Sequence, residues 1–185
     1  MVRKGCTCLL LVPLLIFIFI VGIYFINIKS DKIDYKREYI NNTIDLAQTT
    51  ASRFGLFPSV VLAQSALESN YGTSELSKEY NNYFGIKAKD SEDSVNLETK
   101  EVINGKVTLT TEPFRKYLSK NDSFNHYGKL ISQSKRYEKV KTAEDFKQAA
   151  KFIQEAGYAT DPNYADKIIA IVEKYKLGQF DRTLP

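Results

Sequence analysis

Hydrophobic and polar positions divide the chain into an apolar opening and a patterned remainder. Leu9 to Ile28 is almost continuously apolar, and it includes Leu14, Leu15, Ile16, Phe17, Ile18, Phe19, Ile20 and Val21. A helix of about twenty residues at about 1.5 Å each spans about 30 Å, the thickness of a bilayer's hydrocarbon core. A cleaved signal peptide has a shorter apolar run of about 7–15 residues, followed by a small-x-small site. Val21 is followed instead by Gly-Ile-Tyr-Phe-Ile-Asn-Ile-Lys. Residues 9–28 therefore read as an uncleaved transmembrane signal anchor, behind a short tail (1–8) and ahead of a polar linker (29–36). Gly5-Cys6 precedes the apolar run, which excludes a lipoprotein cleavage site.

Beyond the linker the apolar residues fall at helical spacing. Ile40, Ile44, Ala47, Ala51 and Phe54 form one stripe, predicting a helix over Tyr39–Phe54 that Gly55 stops. Phe57, Val60, Val61, Ala63 and Leu67 begin a second helix with Pro58 in its first turn, and Glu68 sits at its far end on the border of the apolar face. Thr73–Glu79 predicts a further short turn. Val95–Ile103 and Lys106–Glu112 alternate around Asn104-Gly105, a strong hairpin signal that sets Glu101 opposite Thr108. Charged and apolar residues mix on both faces, so the hairpin reads as a small lobe beside a groove.

Three more helices follow. One spans roughly Asp122–Ser134. The next carries Phe146, Ala149, Ala150 and Ile153, opens at a capping-box-like Thr142/Asp145 pair and stops at Gly157. The last carries Tyr164, Ile168, Ile171, Val172 and Tyr175, with Asp161 read as N-cap, Pro162 at the first helical position and Gly178 at the end. Residues 37–178 thus read as one mainly helical α+β domain with a β-hairpin lobe, and 179–185 as a frayed tail.

Composition narrows the chemistry. The 185 residues suffice for one domain with its own core. A net charge of +4 is spread along the chain without a dense Lys/Arg block, so no nucleic-acid surface is expected. Mild basicity suits an anionic surface as well as ordinary solubility. Both cysteines, Cys6 and Cys8, precede the apolar segment, leaving the remainder without disulfide or thiolate. One histidine, His126, cannot build a His-rich metal site, and no phosphate loop is present, so no cofactor is expected. The aromatic residues are all Tyr and Phe; Tyr suits sugar recognition and Phe the core.

The stretch around Glu68 carries the candidate chemistry. Its helix end is followed by Asn70-Tyr71-Gly72 and then by Asn81-Asn82-Tyr83-Phe84-Gly85-Ile86-Lys87. A carboxyl group half shielded by apolar neighbours can hold a proton near neutral pH and act as a general acid. By itself the pattern also describes an ordinary solvated helix residue. Ala63–Gly72 followed by Asn81–Lys87 resembles the signature of glycoside hydrolase family 73, the bacterial peptidoglycan N-acetylglucosaminidases of lysozyme-like fold. The similarity runs from roughly Tyr39 to Leu177.

The resemblance implies roles for particular residues. Glu68 becomes the general acid. Glu101 becomes the second acidic group, with Glu98 and Glu112 as close neighbours that could be confused with it. Tyr158, in the intact Gly157-Tyr-Ala-Thr-Asp161 motif, comes close to the reacting sugar, to bond its acetamido group or steady positive charge. From the residues alone, Glu101 reads as surface charge and Tyr158 as a loop aromatic packed on Phe152. Asn82, Tyr83 and Phe84 are expected at the groove floor, although Phe84 and Ile86 also read as plain core. Gly85 would let the chain pass close to the catalytic helix. Tyr71 and Tyr137 are candidate sugar platforms, and Asp161, mainly a cap, is a candidate substrate contact. An inverting mechanism with Glu101 activating water and a substrate-assisted one both remain open.

The expected function is that of a membrane-anchored endo-β-N-acetylglucosaminidase acting on peptidoglycan strands. Its partners would be the glycan, the membrane and a membrane-protein regulator. The rivals are a muramidase or lytic transglycosylase of the same fold, and a wall-binding module without catalysis. Lys29, Lys32, Lys36 and Arg37 against Arg3 and Lys4 would place the domain in the cytoplasm by charge alone. The resemblance places it outside a bacterial membrane, single-pass and facing the cell wall.

Overall fold

The structure is a computed structural model that describes residues 35–89, 92–103 and 106–183. The apolar segment 9–28 and the Asn104-Gly105 turn lie outside the described residues. Among the described residues no helix is long and apolar enough to cross a membrane. The chain divides after Glu38, and the unit from Tyr39 onward carries the fold.

Helix α1 covers residues 35–54 and shows the expected stripe. Ile40, Ala47 and Ala51 are buried, with Ile44 and Phe54 packed against the same core. Helix α2 spans Pro58–Glu68 with Pro58 in its first turn. It is buried on every side from Pro58 to Ala66, so it is the central helix of the domain and not an amphipathic surface one. Small residues explain this: Ser59, Ala63, Ser65 and Ala66 let neighbouring elements approach all round. The polar ones are satisfied internally, Ser65 Oγ donating to the Leu62 carbonyl at 2.8 Å and accepting from the Tyr39 hydroxyl at 3.1 Å. Truncating a fully buried residue such as Leu62 to Ala would cost about 2–5 kcal/mol.

The start of α2 has no side-chain cap of its own. The cap comes from the far end of the chain, where the Asp181 carboxylate accepts from Ser59 N at 2.9 Å and Ser59 Oγ at 2.6 Å. The closing residues, expected to fray, thus include a docked 3-10 segment, Leu177–Thr183, with Leu177 fully buried.

Helix α3 spans Glu75–Tyr80, capped by Ser74. Strands β1 (Ser94–Ile103) and β2 (Lys106–Arg115) pair antiparallel in the expected register, Glu101 opposite Thr108. The base of this hairpin is stitched to the end of α3 and the segment after it by Arg115 N to Ile86 O at 2.9 Å, Ala88 N to Pro113 O at 2.8 Å and Tyr117 N to Tyr80 O at 2.9 Å.

Helix α4 (Lys120–Gln133) starts ahead of the expected Asp122 because Ser119 caps it, accepting from Asp122 N at 3.1 Å. A 3-10 segment, Lys135–Thr142, leads to α5 (Phe146–Glu155). The cap of α5 is Asp145 itself, not Thr142. Asp145 accepts from Gln148 N at 2.7 Å while Gln148 Oε1 accepts from Glu144 N at 2.7 Å. Thr142 instead bonds the Lys139 carbonyl within the 3-10 segment. Helix α6 (Tyr164–Tyr175) begins after Asn163, not Asp161, and ends at left-handed Lys176, before Gly178. Asp161 accepts from Asn163 N at 2.9 Å, forming a turn that precedes the helix. Helices α5 and α6 and the closing 3-10 segment pack around α2.

Candidate active site

Helix α2 loses its cover only at Leu67 and Glu68, both half-buried. The chain then reverses at once. Asn70 and Tyr71 take left-handed conformations (φ 47° and 56°), and Tyr71 N bonds back to the Ala66 carbonyl at 2.7 Å. Such a conformation costs an L residue about 1–2 kcal/mol, and it leaves Glu68 in the last turn of a helix held rigid along its length.

The segment Asn82–Lys87 runs alongside. A Cβ on Gly85 would stand 3.2 Å from Glu68 Oε2, and Gly85 has φ +61°, so glycine permits both the turn and the close approach. Phe84 is fully buried and stacks on Tyr127 with centroids 4.0 Å apart. Its carbonyl accepts the Tyr158 hydroxyl at 2.8 Å. Tyr158 stacks on Tyr164, 5.8 Å between centroids, and the Tyr164 hydroxyl donates to Glu68 Oε1 at 2.5 Å. Gln64, one turn before Glu68 on α2 and wholly buried, donates through Nε2 to the Tyr164 oxygen at 3.0 Å and accepts from the Tyr127 hydroxyl.

Burial pushes the hydroxyls of Tyr158 and Tyr164 well above the ordinary tyrosine range, and the nearby Glu68 charge adds to the effect. Tyr127 is raised by burial first, then by Tyr137 and Glu68. All three stay protonated hydrogen-bond donors. Part of the Tyr158 surface remains open although its hydroxyl end is enclosed.

Glu68, Phe84, Tyr158 and Tyr164 line a cleft of about 510 Å³, within the range of small-molecule sites. Gly85, Thr99 and Phe114 border it on the loop and hairpin side, and Tyr158, Thr160 and Asp161 on the other. Its cations are Lys87, Arg136 and Lys167. Lys87 pairs with Glu112 at 3.1 Å, and Lys167 pairs with Asp161. The Lys167 hydrogen bond, then the Asn163 amide, holds the Asp161 carboxyl below the usual carboxylate range. The Arg136 guanidinium donates to the carbonyls of Ala156 and Gly157, clamping the loop that presents Tyr158.

Of the residues expected in the site, the structure brings Glu68, Tyr158 and Asp161 to one cleft, with Phe84 beneath it. Glu101 stands on β1 two positions beyond Thr99, which lines the cleft; its side chain is outside the described set. Four other expectations change. Asn82 is 1% exposed, and all four of its hydrogen-bonding positions are used inside the protein: Oδ1 accepts from Phe84 N and Ile86 N, and Nδ2 donates to the carbonyls of Ile86 and Arg115. Tyr83 turns away from the cleft onto Tyr39 and Phe124. Tyr71, swung round by its left-handed backbone, meets Tyr39 and Tyr175 edge-on. Tyr137 is buried and does not line the cleft, lying behind Tyr158 and under the Arg136 guanidinium.

Gln64, Arg136 and Lys167 were not anticipated, and Tyr164 was expected only as core. A signal existed for Gln64, the long polar side chain inside the otherwise small and apolar run Val60–Ala66, one turn from Glu68. Arg136 and Lys167 stand among many surface cations and carry no such mark.

A mainly helical domain that ends its central helix in a half-buried carboxyl, beside a cleft bordered by a β-hairpin, has the build of a lysozyme-like glycoside hydrolase. Residues 44–177 match the glucosaminidase family model, described as mannosyl-glycoprotein endo-beta-N-acetylglucosaminidase, and the chain belongs to this family. It is 38% identical over 165 residues to the exo-glucosaminidase LytG of Bacillus subtilis, covering 86% of this chain and 58% of that protein. It is 37% identical over 150 residues to a probable N-acetylmuramidase of Lactococcus lactis subsp. lactis, covering 77% of this chain and 34% of that one. The catalytic domain of the autolysin Auto from Listeria monocytogenes superposes with a TM-score of 0.67 at 33% identity, over 80% of this chain and 88% of that domain. The chain spans less than two thirds of the length of LytG and of the probable muramidase, one of which is named a glucosaminidase and the other an N-acetylmuramidase.

Proposed function

We propose that the chain is a membrane-anchored peptidoglycan hydrolase that cleaves the β-1,4 bond after N-acetylglucosamine. Glu68 gives its proton to the leaving oxygen, Glu101 acts on the opposite face of the sugar, and Tyr158 contacts the reacting residue. The observation that carries the reading is Glu68 itself, half-buried at the end of α2, with one oxygen bonded to Tyr164 and the other against Gly85 in the cleft. Family membership supports a glucosaminidase. The apolar segment 9–28 supports the anchor, and a wall substrate requires the domain outside.

The test uses the full-length chain purified in detergent, with Glu68→Gln and Glu101→Gln beside it. Peptidoglycan is digested, reduced with borohydride, and its new ends are read by mass spectrometry. Reduced N-acetylglucosamine ends, lost almost entirely with Glu68→Gln and less with Glu101→Gln, are the expected result. Reduced or anhydro N-acetylmuramic acid ends would move the cut to the other bond. No new ends from the wild type, or equal small losses in both variants, would overturn the catalytic reading. For the placement, protease added outside wall-stripped cells should remove the domain; protection would reverse the orientation.

A further inference from the structure

Tyr127, Gln64, Tyr164 and Glu68 form one run of hydrogen bonds from the core to the cleft. Its direction can be worked out. An amide nitrogen only donates and an amide oxygen only accepts, while a phenol has a single proton. Tyr127 is 1% exposed, and its hydroxyl has no acceptor among the described residues other than Gln64 Oε1. Turning the Gln64 amide over would strand that proton in the core. The amide is therefore held with Oε1 toward Tyr127 and Nε2 toward Tyr164. Because the Tyr164 oxygen accepts a hydrogen bond from Gln64 Nε2, its own proton is committed to Glu68 Oε1, at 2.5 Å. An inverted amide would draw the Tyr164 proton to Gln64 and oblige Glu68 to spend its proton on Tyr164. An acid bonded that way would not offer its proton to a substrate.

We propose that Gln64 and Tyr164 are positioning residues that fix which oxygen of Glu68 carries the acid proton. Oε1 is kept as an acceptor, and the proton resides on Oε2, the oxygen that lies against Gly85 in the cleft. Gln64 acts only through Tyr164, and Tyr127 only through Gln64. The inference rests on Glu68 being the general acid.

Tyr164→Phe removes one hydroxyl and keeps the ring stacked on Tyr158. With the full-length chain and peptidoglycan as substrate, kcat should fall about 10–100-fold, part of what a positioned acid supplies, with KM within about twofold. The alkaline limb of kcat/KM, where the acid ionises, should move up by about one pH unit, since the carboxylate loses a donor that favours its charged form. Gln64→Met leaves the Tyr164 hydroxyl but removes what orients it, and should move the limb the same way by less. It also carries the test if Tyr164→Phe fails to fold. A limb unmoved in both variants would overturn the inference, as would lowered melting temperatures alone. If Glu68→Gln abolishes wild-type cleavage while Tyr164→Phe matches the wild type, only the inference fails. If Glu68→Gln stays active, the assignment of the acid fails and the inference with it.

Discussion

Asn82→Ala is expected to damage the fold before it damages substrate binding. The side chain is 1% exposed and makes four hydrogen bonds: from Phe84 N at 3.3 Å, from Ile86 N at 3.1 Å, and to the carbonyls of Ile86 and Arg115 at 2.9 Å each. Alanine leaves two buried N–H groups without a partner, at about 1 kcal/mol or more each, and takes a donor from the Arg115 carbonyl and one of two from the Ile86 carbonyl, which keeps Arg115 N. The longest bond contributes least, and water can reach the part-buried Arg115 carbonyl, so the sum is about 2–4 kcal/mol. At about 2–4 °C per kcal/mol for a domain of this size, the melting temperature should fall on the order of 10 °C. The same loop places Gly85 against Glu68 and the Phe84 carbonyl on Tyr158, so kcat should fall as well while KM changes little. The assay is a thermal melt by circular dichroism, with kcat and KM measured well below the transition. An unchanged melting temperature with a raised KM would refute the reasoning and return Asn82 to the groove.

Three further outcomes are expected. Arg136→Ala releases the clamp on Ala156 and Gly157; because Arg136 is exposed, stability should change by under about 1 kcal/mol while kcat falls several-fold, and a large loss of stability with normal kcat would contradict this. Gly85→Ala places a Cβ 3.2 Å from Glu68 Oε2 at φ +61°, so it should cost about 1–2 kcal/mol and lower kcat by more than the lost stability explains; wild-type turnover would rule out the close approach. Asp181→Ala removes the cap of α2 and should cost about 1–2 kcal/mol in urea unfolding. Burial raises the Asp181 carboxyl above its ordinary value, so the folded state binds its proton more readily than the unfolded chain. Its stability contribution is greatest below the unfolded pKa and declines as pH rises through the folded one. Asp181→Asn should therefore gain on the wild type as pH rises above the ordinary aspartate value of about 4, and a pH-independent difference would refute the assignment.

The parts of this molecule legible in its sequence are those set by neighbours along the chain. Helix α1 shows as a stripe, α2 starts at Pro58, and the alternation on either side of Asn104-Gly105 predicts the register that sets Glu101 opposite Thr108. What escaped depends on residues far apart. The cap of α2 comes from Asp181, 122 positions away from Ser59, so the closing residues read as a loose tail. Burial of α2 on all sides was hidden because serine and alanine leave no stripe. Within the site, an acid next to Asn, Tyr and Gly suggests substrate groups, but direction decides their use. Two left-handed residues after α2 swing Tyr71 away from the cleft, and the turn that brings Gly85 to Glu68 is the turn that buries Asn82. Tyr164 fits an apolar stripe perfectly well, and only its tertiary contacts with Glu68 and Gln64 show why it is tyrosine and not phenylalanine.

A glycosidase acid must keep a proton and still reach the substrate, and these demands compete because burial serves the first while exposure serves the second. Under the proposed function the two oxygens of the Glu68 carboxyl divide these demands, Oε1 bonded from the core side by Tyr164 and Oε2 on the cleft side by Gly85. The tyrosines around it do not compete as proton carriers, since burial and then the Glu68 charge hold the hydroxyls of Tyr158 and Tyr164 far above neutral pH. Nor does Asp161, the other described carboxyl lining the cleft, because its bond to Lys167 and the Asn163 amide favour its ionised form. Under the proposed function, Glu68 is then the proton donor among the described residues that line the cleft. Its rigidity follows from the same placement: a helix buried along its length, capped by Asp181 at one end and reversed within three residues at the other, leaves the carboxyl little freedom beyond its own side-chain torsions.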